Sequence, residues 1–371
     1  MQSYKFNHIL GCTEFVKFFV KHYNMIGLMS GTSLDGIDIV DVSFKKGQEW
    51  TYEINHSKCY KYSKEWLINL REASNLNGNN LLLLNKKYGD YLGQIINQFI
   101  LEKNISINNI EAIASHGHTI FHQPKQRLTF QLGCGATIAN KTQLTVVNDF
   151  RSLDVVFGGQ GAPLVPVGDE LLFKHYDYCL NFGGIANISF NENNQRIAGD
   201  IGFANMFSNK LSQQIGKEFD EYGEFAKSGN LNKELLEQLN TITYYYKEFP
   251  KSLGIEDFKK WYLPTLDKLK IPKEDKLHTA GYHLCLSINN VIKKDKSVFI
   301  TGGGVYNSFW IDTLKNDFKI NCIIPKENII DYKEALIFAF LGLLKLENIE
   351  NTYSSVTGAS KNLKSGVIHH P

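Results

Sequence analysis

Residues 26–38 read I-G-L-M-S-G-T-S-L-D-G-I-D. An apolar run (25–29) breaks into Ser30, Gly31, Thr32 and Ser33, and the chain returns through Leu34 and Gly36 into a second apolar run, 37–44. Two apolar runs joined by small hydroxyl residues and glycine read as a β-hairpin. Such a tip offers backbone N–H groups and hydroxyls to an anion, and Asp35 and Asp38 stand by to orient a hydrated metal ion. The Walker-type phosphate loop is a different device, because it needs G-x-x-x-x-G-K-[ST] opening a helix. An ordinary hairpin with a polar tip would use the same residues, so the stretch takes its meaning from the rest of the chain.

Beyond the hairpin the chain shows one pattern twice. Residues 50–59 alternate as a strand, 66–73 and 80–101 carry apolar residues at helical spacing, and 112–115 form a short apolar strand ending in His116-Gly117-His118. The second half begins with an apolar strand, 178–182, broken at Gly183-Gly184 and resumed over 185–190. A third strand, 196–199, ends at Asp200, and a helix covers 205–215. After a long helical insert, strand 297–300 ends in Thr301-Gly302-Gly303-Gly304. A helix over 307–314, a strand over 321–324 and an apolar helix over 333–346 complete the copy. Hairpin, strand, helix and strand in duplicate predict an α/β fold of two related domains closing on a cleft lined by loops at the carboxyl ends of strands. The expected division is an N-terminal extension over 1–24, a first domain over 25–150, a second over 151–350, and a C-terminal segment, 351–371, packing on the first domain.

Composition sets the frame. A chain of 371 residues exceeds what one core usually supports, and 43% hydrophobic with 21% charged residues is globular. A formal charge of +2 gives no electrostatic case for nucleic acid or an anionic membrane. The lysines are spread along the chain and read as solvated surface. Six widely spaced cysteines without a C-x-x-C pair read as reduced thiols of a cytoplasmic protein. No apolar run reaches the ~18–20 residues of a membrane span. Residues 1–24 lack a clean apolar core followed by a small-residue cleavage site, so they read as an upstream extension rather than a signal peptide.

The duplicated pattern resembles the actin, Hsp70 and hexokinase superfamily, which implies two ribonuclease H-like domains around an ATP cleft. There the two hairpins pinch the β- and γ-phosphates, and a later glycine-rich strand end supports the adenosine. In this chain those places are Gly31–Asp38, Gly183–Asn187 and Gly302–Gly304, where a glycine backbone can approach a ligand without a Cβ in the way. Longer motifs narrow the resemblance. M-S-G-T-S-L-D-G (29–36), S-H-G-H-T-I-F-H-Q-P (115–124), D-F-R-S-L-D (149–154) with G-G-Q-G-A-P-L-V-P (158–166), N-F-G-G-I-A-N-I-S (181–189), P-K-S-L-G (250–254), G-G-G-V-Y-N (302–307) and S-V-T-G-A (355–359) are similar to the anhydro-N-acetylmuramic acid kinases. That family hydrolytically opens the 1,6-ether of a cell-wall sugar and phosphorylates the released 6-oxygen with ATP and magnesium, an entry to peptidoglycan recycling.

The resemblance implies ATP and phosphate contacts at Gly31, Thr32, Ser33, Asp35, Gly36, Asp38, Gly183, Gly184, Asn187, Gly302, Gly303, Gly304 and Asn307. No residue is assigned to Mg2+ directly; the ion is expected on ATP, with Asp35 reached through water. Asp200 matches the family's water-activating base, and ring opening needs one; an N-cap for the helix near Asn205 is its bland alternative. The family's G-P-G-N after this Asp is Gly202-Phe203-Ala204-Asn205 here, which questions the shape of the turn. Arg151 suits the sugar's lactyl carboxylate through its planar fork, or else pairs with Asp149 and Asp154; the family's second arginine is Ser152. Glu334 matches a sugar-contacting glutamate, or is a plain surface or first-turn glutamate favoured by the helix dipole. His116, Gln160 and Asn205 complete the expected sugar site. His118 and His122 stay undecided, and the spacing of the three histidines suits no metal. Lys251-Ser252 touches phosphate or sugar, or is an exposed turn.

The expected partners are thus a small sugar and ATP, with no nucleic acid and no membrane. A homodimer, common among kinases of this superfamily, is left open because no apolar stripe marks an interface. An ordinary hexose kinase would need no ring-opening base, and a partner-binding actin- or chaperone-like ATPase would need no carboxylate site. The altered turn at Phe203-Ala204 also admits a decayed, inactive family member.

Overall fold

The computed structural model describes residues 20–31 and 34–371. Most of the expected extension, and Thr32 and Ser33 of the expected phosphate loop, lie outside these residues. Three antiparallel strands open the first half: β1 (Lys21–Ser30), β2 (Ile37–Lys46) and β3 (Trp50–Tyr60). Lys21 pairs with Lys46, so residues 21–24 belong to this sheet rather than to the extension. Parallel to β1 runs β4 (Ala112–Ser115), which leads into a small hairpin of β5 (His118–Gln123) and β6 (Leu128–Leu132). Then β7 (Val146–Asn148) pairs parallel with β4.

The second half repeats this plan in β8 (Tyr178–Phe182), β9 (Ile185–Glu192), β10 (Gln195–Phe203), β11 (Ser297–Thr301) and β12 (Asn321–Ile323). Across the sheets the orders are β3-β2-β1-β4-β7 and β10-β9-β8-β11-β12, with the same parallel and antiparallel senses. The α/β duplication read from the glycine-tipped hairpins is therefore the architecture of the chain. The first sheet gains a sixth strand, β13 (Val367–His369), antiparallel to β7.

Apolar patterning explains how helices cover the sheets. The helix Gly78–Glu102, capped by Asn77 accepting from the Asn80 N–H at 3.0 Å, buries Leu84, Tyr88, Leu92, Ile96 and Phe99 with Ile26, Ile39 and Ile113 of the first sheet. The helix Glu327–Leu346 lies between the sheets, its Ile337, Phe338 and Phe340 packed with Met25, Val40 and Ala114 and with Cys179 and Phe299 of the second half. Small residues set its approach: a Cβ on Gly342 would meet that of Ala114 at 2.6 Å, and one on Gly27 that of Ala339 at 2.7 Å. Among the described residues no helix is long and apolar enough to cross a membrane.

Several sequence expectations need correction. Asp200 does not end a strand: β10 continues to Phe203 past a bulge between Asp200 and Gly202. The last long helix starts at Glu327 rather than at 333, so Glu334 sits two turns inside it and is not a first-turn glutamate. Lysine is not only surface, for Lys276 and Lys333 are 3% and 4% exposed. Lys333 forms an ion pair with Asp169 at 2.7 Å, and the Ser189 hydroxyl donates to the other oxygen of that carboxylate.

Candidate active site

The first hairpin is rooted in side chains. The Ser30 hydroxyl lies 2.6 Å from the Tyr62 hydroxyl and 3.1 Å from His118 Nδ1, and it accepts from Tyr88 at 3.0 Å. All four residues are buried, and Tyr62 and Tyr88 also bond each other at 2.6 Å. His118 thus anchors the loop's root, while His122 Nδ1 pairs with Thr129 Oγ1 at 3.3 Å. Beyond Ser30 the loop turns through a Leu34 N–H bond to the Gly31 carbonyl and a positive φ of 62° at Leu34. Gly36 leaves little room for a side chain, since a Cβ would meet Cys59 Sγ at 2.6 Å and the Tyr60 carbonyl at 2.9 Å. Asp35 is exposed at this tip, and Asp38, one pleat further, faces Cys59. Burial raises the Asp38 carboxyl, with the Cys59 thiol opposing and Asp35 and Asp331 adding to the rise. Burial and the bond to Asp38 push Cys59 up to about 12, which leaves it an inert thiol.

The second hairpin is rooted in backbone. The Ala204 and Met206 N–H groups donate to the Gly184 carbonyl at 2.9 and 3.1 Å, and the Asn205 N–H to Gly183 at 3.2 Å. Asn205 adds its side-chain amide on the Phe182 carbonyl at 3.1 Å, so its visible role is to fasten this turn. The altered Phe203-Ala204 pair is absorbed locally, because the buried Phe203 ring packs on Phe258, Trp261 and Tyr262.

Register then carries a polar row across the sheet, with Thr301 beside Asn181, Asn181 beside Asn187, and Asn187 beside Asp200. Residues 251–253 wrap the outer edge here. The Lys251 carbonyl accepts from the Asp200 N–H at 2.8 Å, and the Leu253 N–H donates to the Asp200 carboxylate at 2.8 Å. Burial pushes Asp200 up to about 6, and the Leu253 bond only partly offsets it. A carboxylate with that affinity for protons is a competent base near neutral pH.

At the third glycine site the three residues differ. Gly302, at φ 84°, and Gly304 would each press a Cβ on Phe182 or Asn181 at 2.6 Å, whereas a Cβ on Gly303 would meet nothing within 4 Å. Open space at Gly303 is what a ligand lying on the backbone requires. Asn307 is engaged elsewhere, capping Ser308–Asp312 by accepting from the Trp310 N–H at 3.2 Å.

Arg151, in a conformation set by the loop C-terminal to it, donates Nε to His116 Nε2 at 3.0 Å and one Nη to the Gly161 carbonyl at 2.6 Å. His116 donates Nδ1–H to the Gly117 carbonyl at 2.8 Å, so the ring is neutral and accepts from Arg151. Burial and the Arg151 charge hold His116 well below its usual value, and burial lowers Arg151 to about 10. His116 therefore stands behind Arg151 rather than at the open cleft. The pairing of Arg151 with Asp149 or Asp154 is not what the structure shows. Asp149 accepts from the Ser152 N–H at 3.2 Å, and Asp154 accepts from the Gly161 N–H and the Thr357 hydroxyl, both at 2.7 Å. The carboxylate felt most by Arg151 is Glu334, whose residue keeps exposed surface while its carboxyl is raised, desolvation outweighing the opposing Arg151 charge. Gln160 is exposed on the same loop, with its N–H on the Thr357 carbonyl at 2.8 Å.

One group thus gathers Asp35, Asp38, Glu334 and Arg151 with His116 behind; another gathers Asn187, Asp200 and the second hairpin, with Gly302–Gly304 beside its first strand. Among the described residues no three His, Cys, Asp or Glu side chains come close enough to cage a metal. Sequence reasoning missed Asp154 and Thr357 as the clasp of the Arg151 loop, although one lies in D-F-R-S-L-D and the other in S-V-T-G-A.

The family described as anhydro-N-acetylmuramic acid kinase matches residues 23–371. A protein of that name from Bacillus cereus (strain 03BB102) is 34% identical over 93% of this chain and 98% of its own length. Another from Francisella tularensis subsp. novicida (strain U112) is 34% identical over 93% and 98%. Among solved structures, component A of the (R)-2-hydroxyglutaryl-CoA dehydratase of Acidaminococcus fermentans is similar at TM-score 0.45 and 10% identity, over 88% of this chain and 99% of that one.

Proposed function

Because the chain belongs to the anhydro-N-acetylmuramic acid kinase family, we propose that it opens 1,6-anhydro-N-acetylmuramic acid with water and phosphorylates it from ATP, giving N-acetylmuramic acid 6-phosphate. The observation that carries the chemistry is Asp200, a half-buried carboxylate raised to about 6 and aimed by the Leu253 N–H. In this reading Asp200 takes a proton from water as the water oxygen bonds to C1. The C1–O6 bond breaks, O6 bonds to the γ-phosphorus, and the bond from that phosphorus to ADP breaks. Arg151, oriented by His116 and Gly161, grips the lactyl carboxylate, and Glu334 accepts a sugar hydroxyl.

ATP lies between the two hairpins with its adenosine over Gly303. Asp35 and Asp38 supply hard oxygen donors fit for the waters of a Mg2+ carried on the phosphates, and the ion neutralises phosphate charge. The two sheets act as two domains that close to exclude water. The raised base and the carboxylate-binding arginine favour this reading over an ordinary hexose kinase.

The test is an ADP-release assay comparing the anhydro sugar with N-acetylmuramic acid and N-acetylglucosamine. Turnover confined to the anhydro sugar and lost in Asp200→Asn supports it; turnover with ordinary sugars that survives the substitution overturns it.

A further inference from the structure

Away from the cleft, between residues 240–251 and the helix Lys273–Asn289, lies a cavity of about 530 Å³. His283 lines it, 2% exposed, with an Nδ1 that has no hydrogen-bond partner. A buried polar atom without a partner costs stability, so its persistence points to a ligand that completes it. Burial lowers His283 to about 4, so it offers a neutral donor or acceptor suited to a hydroxyl rather than a charge.

The walls supply two further elements. Tyr245, edge-on to His283 at 4.5 Å, and Phe249 present aromatic surface on which the C–H face of a sugar ring can pack. Lys293 is matched by Glu192 at 3.3 Å, which leaves Lys247 and Lys251 against Glu248 and an excess of positive charge. Burial disfavours the Lys251 charge and the neighbouring Lys247 adds to this, a strain an anion would relieve.

The cavity also touches the machinery. Ile197 lines it, and by the alternation of β10 it faces away from the side of Asp200. Phe249 and Lys251 line it too, and Gly199 can only be glycine there because a Cβ would meet Phe249 at 2.6 Å and the Lys251 carbonyl at 2.7 Å. The same segment bonds Asp200 through Lys251 and Leu253.

We propose that this cavity is a second small-molecule site, taking a sugar phosphate and coupled through residues 249–253 to Asp200. The binding stands apart from the catalytic reading; only the coupling rests on it.

The test titrates glucose 6-phosphate calorimetrically into the full chain with the cleft filled by a non-hydrolysable ATP analogue and the anhydro sugar. Expected is binding that weakens at least tenfold in His283→Leu and in Lys247→Glu, the second an exposed position that guards against misfolding. Glucose should not bind, and inorganic phosphate should bind at least tenfold more weakly. No binding with the cleft filled, or equal binding by Lys247→Glu, overturns the site. Inorganic phosphate binding as well as glucose 6-phosphate overturns the sugar assignment. For the coupling, glucose 6-phosphate should change kcat at least twofold in the wild type and not in Lys247→Glu; binding with unchanged kcat overturns the coupling alone.

Discussion

The loop joining β1 to β2 and the turn joining β8 to β9 are one element in two copies, held in opposite ways. Three side chains from three segments, Tyr62, Tyr88 and His118, converge on Ser30 at the root of the first. The second is fixed by the N–H groups of residues 204–206. A backbone anchor survives side-chain change: with Phe203-Ala204 in the turn, the N–H bonds of residues 204–206 to Gly183 and Gly184 are all made. A side-chain anchor can be lost with one hydroxyl. The chemistry is also divided: in equivalent registers the first sheet sets Asp38 beside Cys59, and the second Asn187 beside Asp200.

The largest expected effect tests that division. Asp200→Asn should lower kcat by about 10²–10⁴ in the ADP-release assay, the usual contribution of a general base. Asp38→Asn should instead raise the Mg2+ needed for half-maximal rate by about 10–100-fold, as loss of an outer-shell ligand does. If Asp38→Asn abolished turnover at saturating Mg2+, the two halves would not divide the chemistry in this way.

pH separates them further. With Asp200 at about 6, kcat/KM should fall below pH 6, and that limb should persist in Asp38→Asn. The folded protein binds this proton more tightly than the unfolded chain, so the group's stabilisation is complete below about pH 4 and lost as pH rises through 6. Asp200→Asn should therefore be more stable than wild type at pH 8, by about 1–2 kcal/mol in urea unfolding.

Arg151→Lys should raise KM for the anhydro sugar by about 10–100-fold with a smaller change in kcat, the loss of a charged fork contact. Gly303→Ala should leave the melting temperature unchanged and raise KM for ATP several-fold, while Gly304→Ala, driven against Phe182, should lower the melting temperature. Smallest is the direct contrast of anchors. Tyr88→Phe should cost about 1 kcal/mol and raise KM for ATP a few-fold, and Asn205→Ala should do less of both. A larger loss in Asn205→Ala would mean its amide meets substrate.

Much of this was legible in the sequence because glycine marks strand ends whatever the partner strand does. The strands 112–115 and 178–182 appear with the bounds expected, and the order of both sheets accords with the hairpins. Asp200 misled because a charged residue normally ends a strand; here residues 251–253 pair along its free edge and let β10 run on. β13 and the clasp of Asp154 on Thr357 depend on contacts across 200 residues or more, for which local pattern holds no signal. Lys333 reads as surface until its carboxylate, Asp169 on another helix, is brought beside it.

The helix between the sheets also fixes an order in time. Met25, Val40, Val42 and Phe44 reach their packing partners only after the helix that begins at Glu327 has been synthesised. At about 5–20 residues per second, that leaves one apolar face of the first sheet without its cover for roughly 15–60 s on the ribosome. Duplicated in plan, the two halves are consecutive only in sequence: the first to emerge is the last to be finished.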